Sequence, residues 1–359
     1  MMKSVNSRTF TLLVIAILCV GIPLANASDV ANSAYEKGKA LADRKQWQES
    51  LKCLDEAIAA NPKYGLAFKE RSLVHDALGH HLLALQDIAH AGELDPTLEP
   101  EWHLSGRAAP WMDQQGVDSS LRALEKNAND VTAMQSLASS YLAVASHLKM
   151  HYPQDKADWL PQYQLAVDAG SRALEALKLQ HVKEAYSILP FYNLRARGLA
   201  ELGKANEAIA DYTSAIELMP RKSLRDFANV ASLYGDRAEL RAKQGELNKA
   251  IDDYTTIIDM KPPSPLDREV YYIARAELWV KKNEPSKSAK DLHAAIDSYT
   301  QRISTTPYPW IYELRANVYA QLNEYDKAVA DMKLVVAKEP TSGRRDKLSK
   351  FEKRLKERG

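Results

Sequence analysis

A step of 34 residues recurs through most of this chain and constrains its architecture more than any other feature. Four windows, 189–222, 231–264, 269–302 and 309–342, read Arg195-Ala196, Arg237-Ala238, Arg275-Ala276 and Arg315-Ala316 at their seventh and eighth places. Twelve residues after each alanine stands another small residue: Ala208, Ala250, Ser288 and Ala328. Four later comes Tyr212, Tyr254, Leu292 or Met332. Pro220, Pro262 and Pro340 close three of the windows, and Thr300 takes that place in the other. The same frame fits 31–64, with Gly38, Ser50, Leu54, Ala57 and Pro62, and 65–98, with Ser72, Ala84, Ile88, Ala91 and Pro96.

The spacing has a mechanical cause. Each window holds two short amphipathic helices, and small residues at the eighth and twentieth places let them approach closely where they cross. Proline ends the second helix, because it lacks a backbone donor and clashes with the preceding turn. Gly203 and Gly245 mark turns between helices. One hairpin cannot bury both its faces, so hairpins must stack. The chain therefore predicts an all-α solenoid of about eight helix-turn-helix units. Two of them are degenerate, in 99–188, where an insert near 147–163 carries Trp159, Pro153 and Pro161. N-terminal repeats occupy 28–98 and C-terminal repeats 189–342, with a small insertion at 223–230.

These six windows resemble the tetratricopeptide repeat. The resemblance implies a right-handed solenoid in which the first helices of successive repeats line a concave groove that holds a segment of a partner protein. Carried onto this sequence, the groove positions are Asn193, Arg197 and Glu201, then Glu239 and Lys243, then Ile273, Glu277 and Lys281. Trp310, Glu313, Asn317 and Gln321 follow, and near the start Tyr35, Lys39, Lys69 and Leu73. Some co-chaperones of this family clamp a terminal carboxylate with an asparagine that is replaced here by Glu70, Asp236, Ala274 or Leu314. The resemblance thus implies a protein-binding scaffold without that clamp.

A charge pair accompanies the frame. Arg71, Arg195, Arg237, Arg275 and Arg315 hold the seventh place, and sixteen residues after each stands Asp87, Asp211, Asp253, Asp291 or Asp331. The first window has neither, with Lys37 and Cys53 instead. Joint presence and joint loss predict an ion pair inside each of the five repeats.

The chain ends differ from the rest. Lys3 and Arg8 precede an apolar run from Leu12 to Val20, Gly21 and Pro23 break it, and Ala25-Asn26-Ala27 offers small residues. This is the layout of a secretory signal peptide over 1–27, which predicts an exported protein, periplasmic or secreted. An uncleaved anchor is the alternative, although the run is short against the about 20 apolar residues that span a bilayer. Cleavage removes Cys19 and leaves Cys53 alone, so no internal disulfide contributes to stability. Residues 343–359 carry eight basic and three acidic side chains, with Leu348, Phe351 and Leu355 on one side. A polar-backed helix capping the last repeat is expected there, and a basic docking surface is compatible with it.

Other function classes find little support. Lys and Arg total 48 against 47 for Asp and Glu, so no global field holds nucleic acid. No phosphate-cradling loop, nucleophile elbow or H-E-x-x-H motif occurs, and neither a catalytic residue nor a cofactor is expected. His75, His80, His81, His90 and His103 cluster. They leave a metal- or small-ligand-binding protein as the alternative to a scaffold, without ligand spacing that defines a metal site.

Overall fold

The computed structural model describes residues 24–98, 110–260 and 268–357. Among these residues there are sixteen α-helices, one short 3-10 turn and no strand. The chain divides into two compact units, 1–181 and 182–359. Nearly all of the predicted signal segment, and His103, lie outside the described residues.

The first unit contains α1 (Leu24–Asp43), α2 (Trp47–Ala60), α3 (Gly65–Ala77), α4 (His81–Leu94), α5 (Pro110–Lys126), α6 (Val131–His151) and α7 (Lys156–Leu179). The second contains α8 (Ala185–Glu201), α9 (Ala205–Leu218), α10 (Leu224–Lys243), α11 (Leu247–Asp259), α12 (Glu269–Lys281), α13 (Pro285–Thr305), α14 (Pro309–Gln321), α15 (Tyr325–Lys338) and α16 (Ser342–Lys356). Within each unit helices pack chiefly on their neighbours in sequence, as an α-solenoid requires.

Six hairpins share one turn. Each three-residue connection places its middle residue at positive φ: Lys45, Gly79, Gly203, Gly245, Asn283 and Asn323. The next amide reaches back to the helix, as His80 N does to His75 O and Glu246 N to Arg241 O. This closure satisfies carbonyls that the helix end would orphan. Glycine and asparagine tolerate the left-handed conformation, which explains five of the six residues.

The small residues sit where the helices cross. Ala196, Ala208, Ala238, Ala250, Ala316 and Ala328 are fully buried. In the first hairpin Ser50 Oγ donates to the Gly38 carbonyl at 2.7 Å. A Cβ at Gly38 would lie 2.8 Å from Leu54 Cγ, so only glycine fits that contact without movement. Between hairpins, Ala276, Leu292, Ala295, Ile296 and Tyr299 join Ile311 and Val318 in one core. At the end of the stack Leu348 and Phe351 of α16 cover Ala316, Ala328, Met332 and Val335. The helix α16 thus closes the last repeat, with Arg345, Lys350, Lys353, Arg354 and Lys356 exposed to solvent.

The insert residues lengthen two helices. They extend α6 to His151 and start α7 at Lys156, leaving a turn at 152–155. That turn docks on the α3–α4 turn: the Tyr152 ring stacks on His81 at 3.4 Å, and Asp158 accepts from Leu82 N at 3.3 Å. Trp159 is buried, with Tyr163 packed edge-on.

Candidate partner-binding face

In the second unit the first helices of successive hairpins are α8, α10, α12 and α14. Their buried stripes are set by Leu194 and Ala196, Leu233 and Ala238, Ala276 and Leu278, and Ile311 and Ala316. Helical rotation then turns Arg197, Glu239, Lys243, Glu277 and Trp310 to the exposed side. Asn193 and Asn317 are half-buried beside them. Asn193 Oδ1 is shielded from solvent and lacks a hydrogen-bond partner among the described residues. Trp310 is 44% exposed, and the Arg302 guanidinium lies over its ring at 5.3 Å.

Two groove candidates are not available to a ligand. Glu313 accepts from Arg344 Nε at 2.9 Å and from Lys347 Nζ at 2.5 Å, so the capping helix occupies it. Burial works to raise its carboxyl, but those hydrogen bonds outweigh the penalty and hold it below the ordinary range. Tyr35 is only 6% exposed: its ring meets Tyr64 at 5.1 Å inside the core of the first hairpins. The ninth-place neighbour Lys39 is exposed and Lys69 half-buried. Tyr35 therefore supports the fold, because helix α1 turns the fifth place of its window onto α3 and not to solvent.

The five arginines share one geometry. Nε and Nη2 donate to the two oxygens of the aspartate sixteen residues on, at 2.6 to 3.1 Å, for Arg71–Asp87, Arg195–Asp211, Arg237–Asp253, Arg275–Asp291 and Arg315–Asp331. Each acid is buried. An unpaired carboxylate would be costly there, and the bidentate fork compensates the desolvation. These arginines face the interior of their own hairpins, away from the exposed stripe.

The face carries carboxylates that lack such partners. Asp236, Glu239 and Glu277 make no salt bridge or hydrogen bond among the described residues. Burial pushes the Asp236 carboxyl above its ordinary range, Glu239 adds to the rise, and Arg197 opposes it. Burial first, then the charges of these acids, raises the phenols of Tyr212 and Tyr254 on the second helices strongly. The repeat frame identifies these tyrosines only as its large residue, and both are buried, at 3% and 5% exposure.

The histidines of the first unit spread over several contacts. His75 Nδ1 lies 3.3 Å from His80 Nδ1, His81 bridges Asp76 and Asp155 at 2.9 and 3.4 Å, and His90 packs on Phe68. Among the described residues no group of three or more His, Cys, Asp or Glu side chains is placed to hold a metal ion. No described helix is long and apolar enough to cross a membrane.

The sequence model of the tetratricopeptide repeat matches residues 311–339, which are α14, α15 and the turn between them. The α14–α15 hairpin is thus similar to a tetratricopeptide repeat. The preceding hairpins of the second unit repeat its small residues, its turn and its Arg–Asp pair. No curated protein matches the chain. Among solved structures, a thermophilic tetratricopeptide-repeat protein of Thermus thermophilus is 16% identical, with 70% of this chain and 99% of that one covered, at a TM-score of 0.34. YrrB, described as a tetratricopeptide-repeat protein with an unusual peptide-binding site, is 15% identical over 68% and 91%, at 0.33. A tetratricopeptide-repeat protein from Parabacteroides merdae ATCC 43184 is 15% identical over 90% and 98%, at 0.34.

Proposed function

We propose that the second unit is a protein-binding scaffold that holds an extended segment of a partner along the side formed by α8, α10, α12 and α14. One observation carries this. The scaffold positions Ala196, Ala238, Ala276 and Ala316 are uniform and buried, whereas the exposed places beside them differ: Arg197, Glu239, Glu277 and Trp310. A constant frame presenting a varied row of side chains suits recognition of a sequence. Because the resemblance to an export signal over 1–27 accompanies the repeats, we place the scaffold in the periplasm or outside the cell. In this view the histidine contacts of the first unit are structural.

Affinity capture from an envelope extract tests the function, with the mature chain compared with Trp310→Ala and Arg197→Ala. A partner retained by the wild type and lost by both variants is expected. Equal retention by all three chains would reject this face as the binding surface. Amino-terminal sequencing of the exported form tests the location, with Ser28 as the expected first residue.

A further inference from the structure

Five of the nine histidines gather in the first unit where the α3–α4 turn touches the α6–α7 turn. The two turns are built alike. On the α3–α4 side, Nδ1 of half-buried His75 lies 3.3 Å from Nδ1 of exposed His80. On the α6–α7 side, half-buried His147 stands against exposed His151, with ring centroids 4.4 Å apart. Between the pairs the His81 ring stacks on Tyr152 at 3.4 Å. The two nitrogens of His81 reach Asp76 and Asp155 at 2.9 and 3.4 Å, and the Tyr152 hydroxyl donates to the same Asp76 oxygen at 3.4 Å. Beside the stack, Asp158 accepts from Leu82 N–H at 3.3 Å, an amide in the first turn of α4 that no helical carbonyl can meet.

Protons decide whether this joint holds. A neutral imidazole has one donor and one acceptor nitrogen, whereas a charged one has two donors. His75 and His80 therefore keep their contact only while one Nδ1 accepts; with both rings charged, two N–H groups oppose each other at 3.3 Å. In the other pair two charged rings 4.4 Å apart repel. Burial first holds His75 below the ordinary histidine range; Asp87 of α4 and Asp55 of α2 oppose it, and Arg71 and His80 add to it. Burial, then His151, depresses His147 in the same direction. A ring kept neutral by the fold takes up its proton more readily once released, so acid favours the parted turns. His81 differs, because both of its nitrogens face acids and a charged ring still fits there. Two pairs resist full charging and one ring accepts it. The two losses prevail.

We propose that the joined turns are a clasp that opens in acid: as the second ring of each pair takes its proton, the α6–α7 turn leaves the α3–α4 turn. The hairpins persist, since each packs on its neighbours in sequence. What is lost is a contact between residues as far apart in the chain as Asp76 and Tyr152. Such a contact adds coupling beyond nearest neighbours in a linear array, so its loss loosens the first unit without unfolding it.

Hydrogen exchange of the full chain, read by mass spectrometry at pH 7.5 and pH 5, tests the clasp. Rates are corrected for the intrinsic effect of pH, and peptides from 231–260, which hold no histidine, are the internal reference. Tyr152→Ala/Asp158→Ala gives the pattern of the open turns at pH 7.5. The wild type should acquire that pattern at pH 5, with exchange at Leu82 and across 147–158 rising about tenfold or more against the reference. His75→Gln/His147→Gln, in which neither pair can hold two charges, should stay protected at both pH values. If that variant does not fold, His80→Asn/His151→Asn, which removes the exposed partners, takes its place with the same expectation. Equal protection of the wild type at both pH values would overturn the clasp. So would a pair variant that loses protection as the wild type does, or a matching rise in 231–260, which would mean general unfolding.

Discussion

The Nη1 of Arg237 donates to Thr213 Oγ1 at 2.8 Å, across the boundary between two successive hairpins. The same guanidinium holds Asp253 of its own hairpin, so one side chain ties a repeat internally and to its neighbour. Arg275 reaches Thr255 and Arg315 reaches Thr300 in the same way. In the first unit Arg71 reaches Asp55. Each threonine gives its own proton to the helix carbonyl four residues back, which leaves its lone pairs for the guanidinium.

Thr213→Val should therefore lower stability by about 1.5–3 kcal/mol, the usual worth of a hydrogen bond to a charged group. Because the bond lies between hairpins, it contributes to neighbour coupling, which governs cooperativity in a linear array. Urea unfolding followed by circular dichroism should show a lower midpoint and a broader transition. An unchanged curve would mean that the contact contributes nothing.

The five arginines should not be equally costly to remove. Asp253 keeps a second arginine, Arg241, at 2.7 Å, and Asp291 keeps the Trp279 indole at 3.1 Å. Asp331 is bonded by Arg315 alone among the described residues, and it is buried. Arg315→Ala should cost about 3–5 kcal/mol, as for a buried pair broken on one side, and Arg237→Ala about half of that. Melting temperatures in that order are the check, and Arg237→Ala should leave peptide binding intact.

Of the six shared turns, only that at Lys45 places neither glycine nor asparagine at positive φ, here 59°. A side chain in the left-handed region costs about 1 kcal/mol or more. Lys45→Gly should raise stability by about 0.5–1 kcal/mol, the gain being limited by the greater freedom of glycine in the unfolded chain. A fall in the denaturation midpoint would show that the Lys45 side chain holds a contact worth more than the strain.

What could be read from the sequence follows from what is local. The small places, the turn glycines and the sixteen-residue Arg–Asp interval recur because a helix pair imposes them, so they are visible without any structure. The threonine contacts are not, since Thr213 and Arg237 are brought together only when hairpins stack across the 223–230 insertion. Thr300 shows why. Without a proline in its place, α13 runs on to Thr305, and the residue standing where other windows have proline becomes the partner of Arg315. Tyr35 and Glu313 have groove spacing, but packing on α3 and capping by α16 respectively decide their fate. The docking of Tyr152 on His81 joins segments that no periodicity relates.

His147 provides a pH test of the lengthened α6. Burial first, then the nearby His151, depress it to about 4. The unfolded chain takes up this proton near the ordinary value of about 6.5, whereas the folded chain does not until about pH 4. Between these values acidification favours the unfolded state, so stability present above the higher value is lost as pH falls. His147→Gln should lose less stability than the wild type from pH 7.5 to pH 5, by about 1–2 kcal/mol after discounting for partial exposure. Parallel melting temperatures for the two chains across that interval would show that His147 protonates freely in the fold.

Asp236 has the opposite sign. Its carboxyl is raised, chiefly by burial and then by Glu239, so the folded chain retains a proton that the unfolded chain has already released. The stability associated with the neutral form is full below the unfolded carboxylate value and is lost as pH rises through the folded one. At pH 7 the ionised side chain is therefore a net cost to folding. Asp236→Asn, which mimics the neutral form, should melt higher than the wild type at pH 7 and close to it at pH 3. Thermal unfolding of both chains at the two pH values measures this directly, and a variant less stable than the wild type at pH 7 would show that the ionised Asp236 side chain serves the fold.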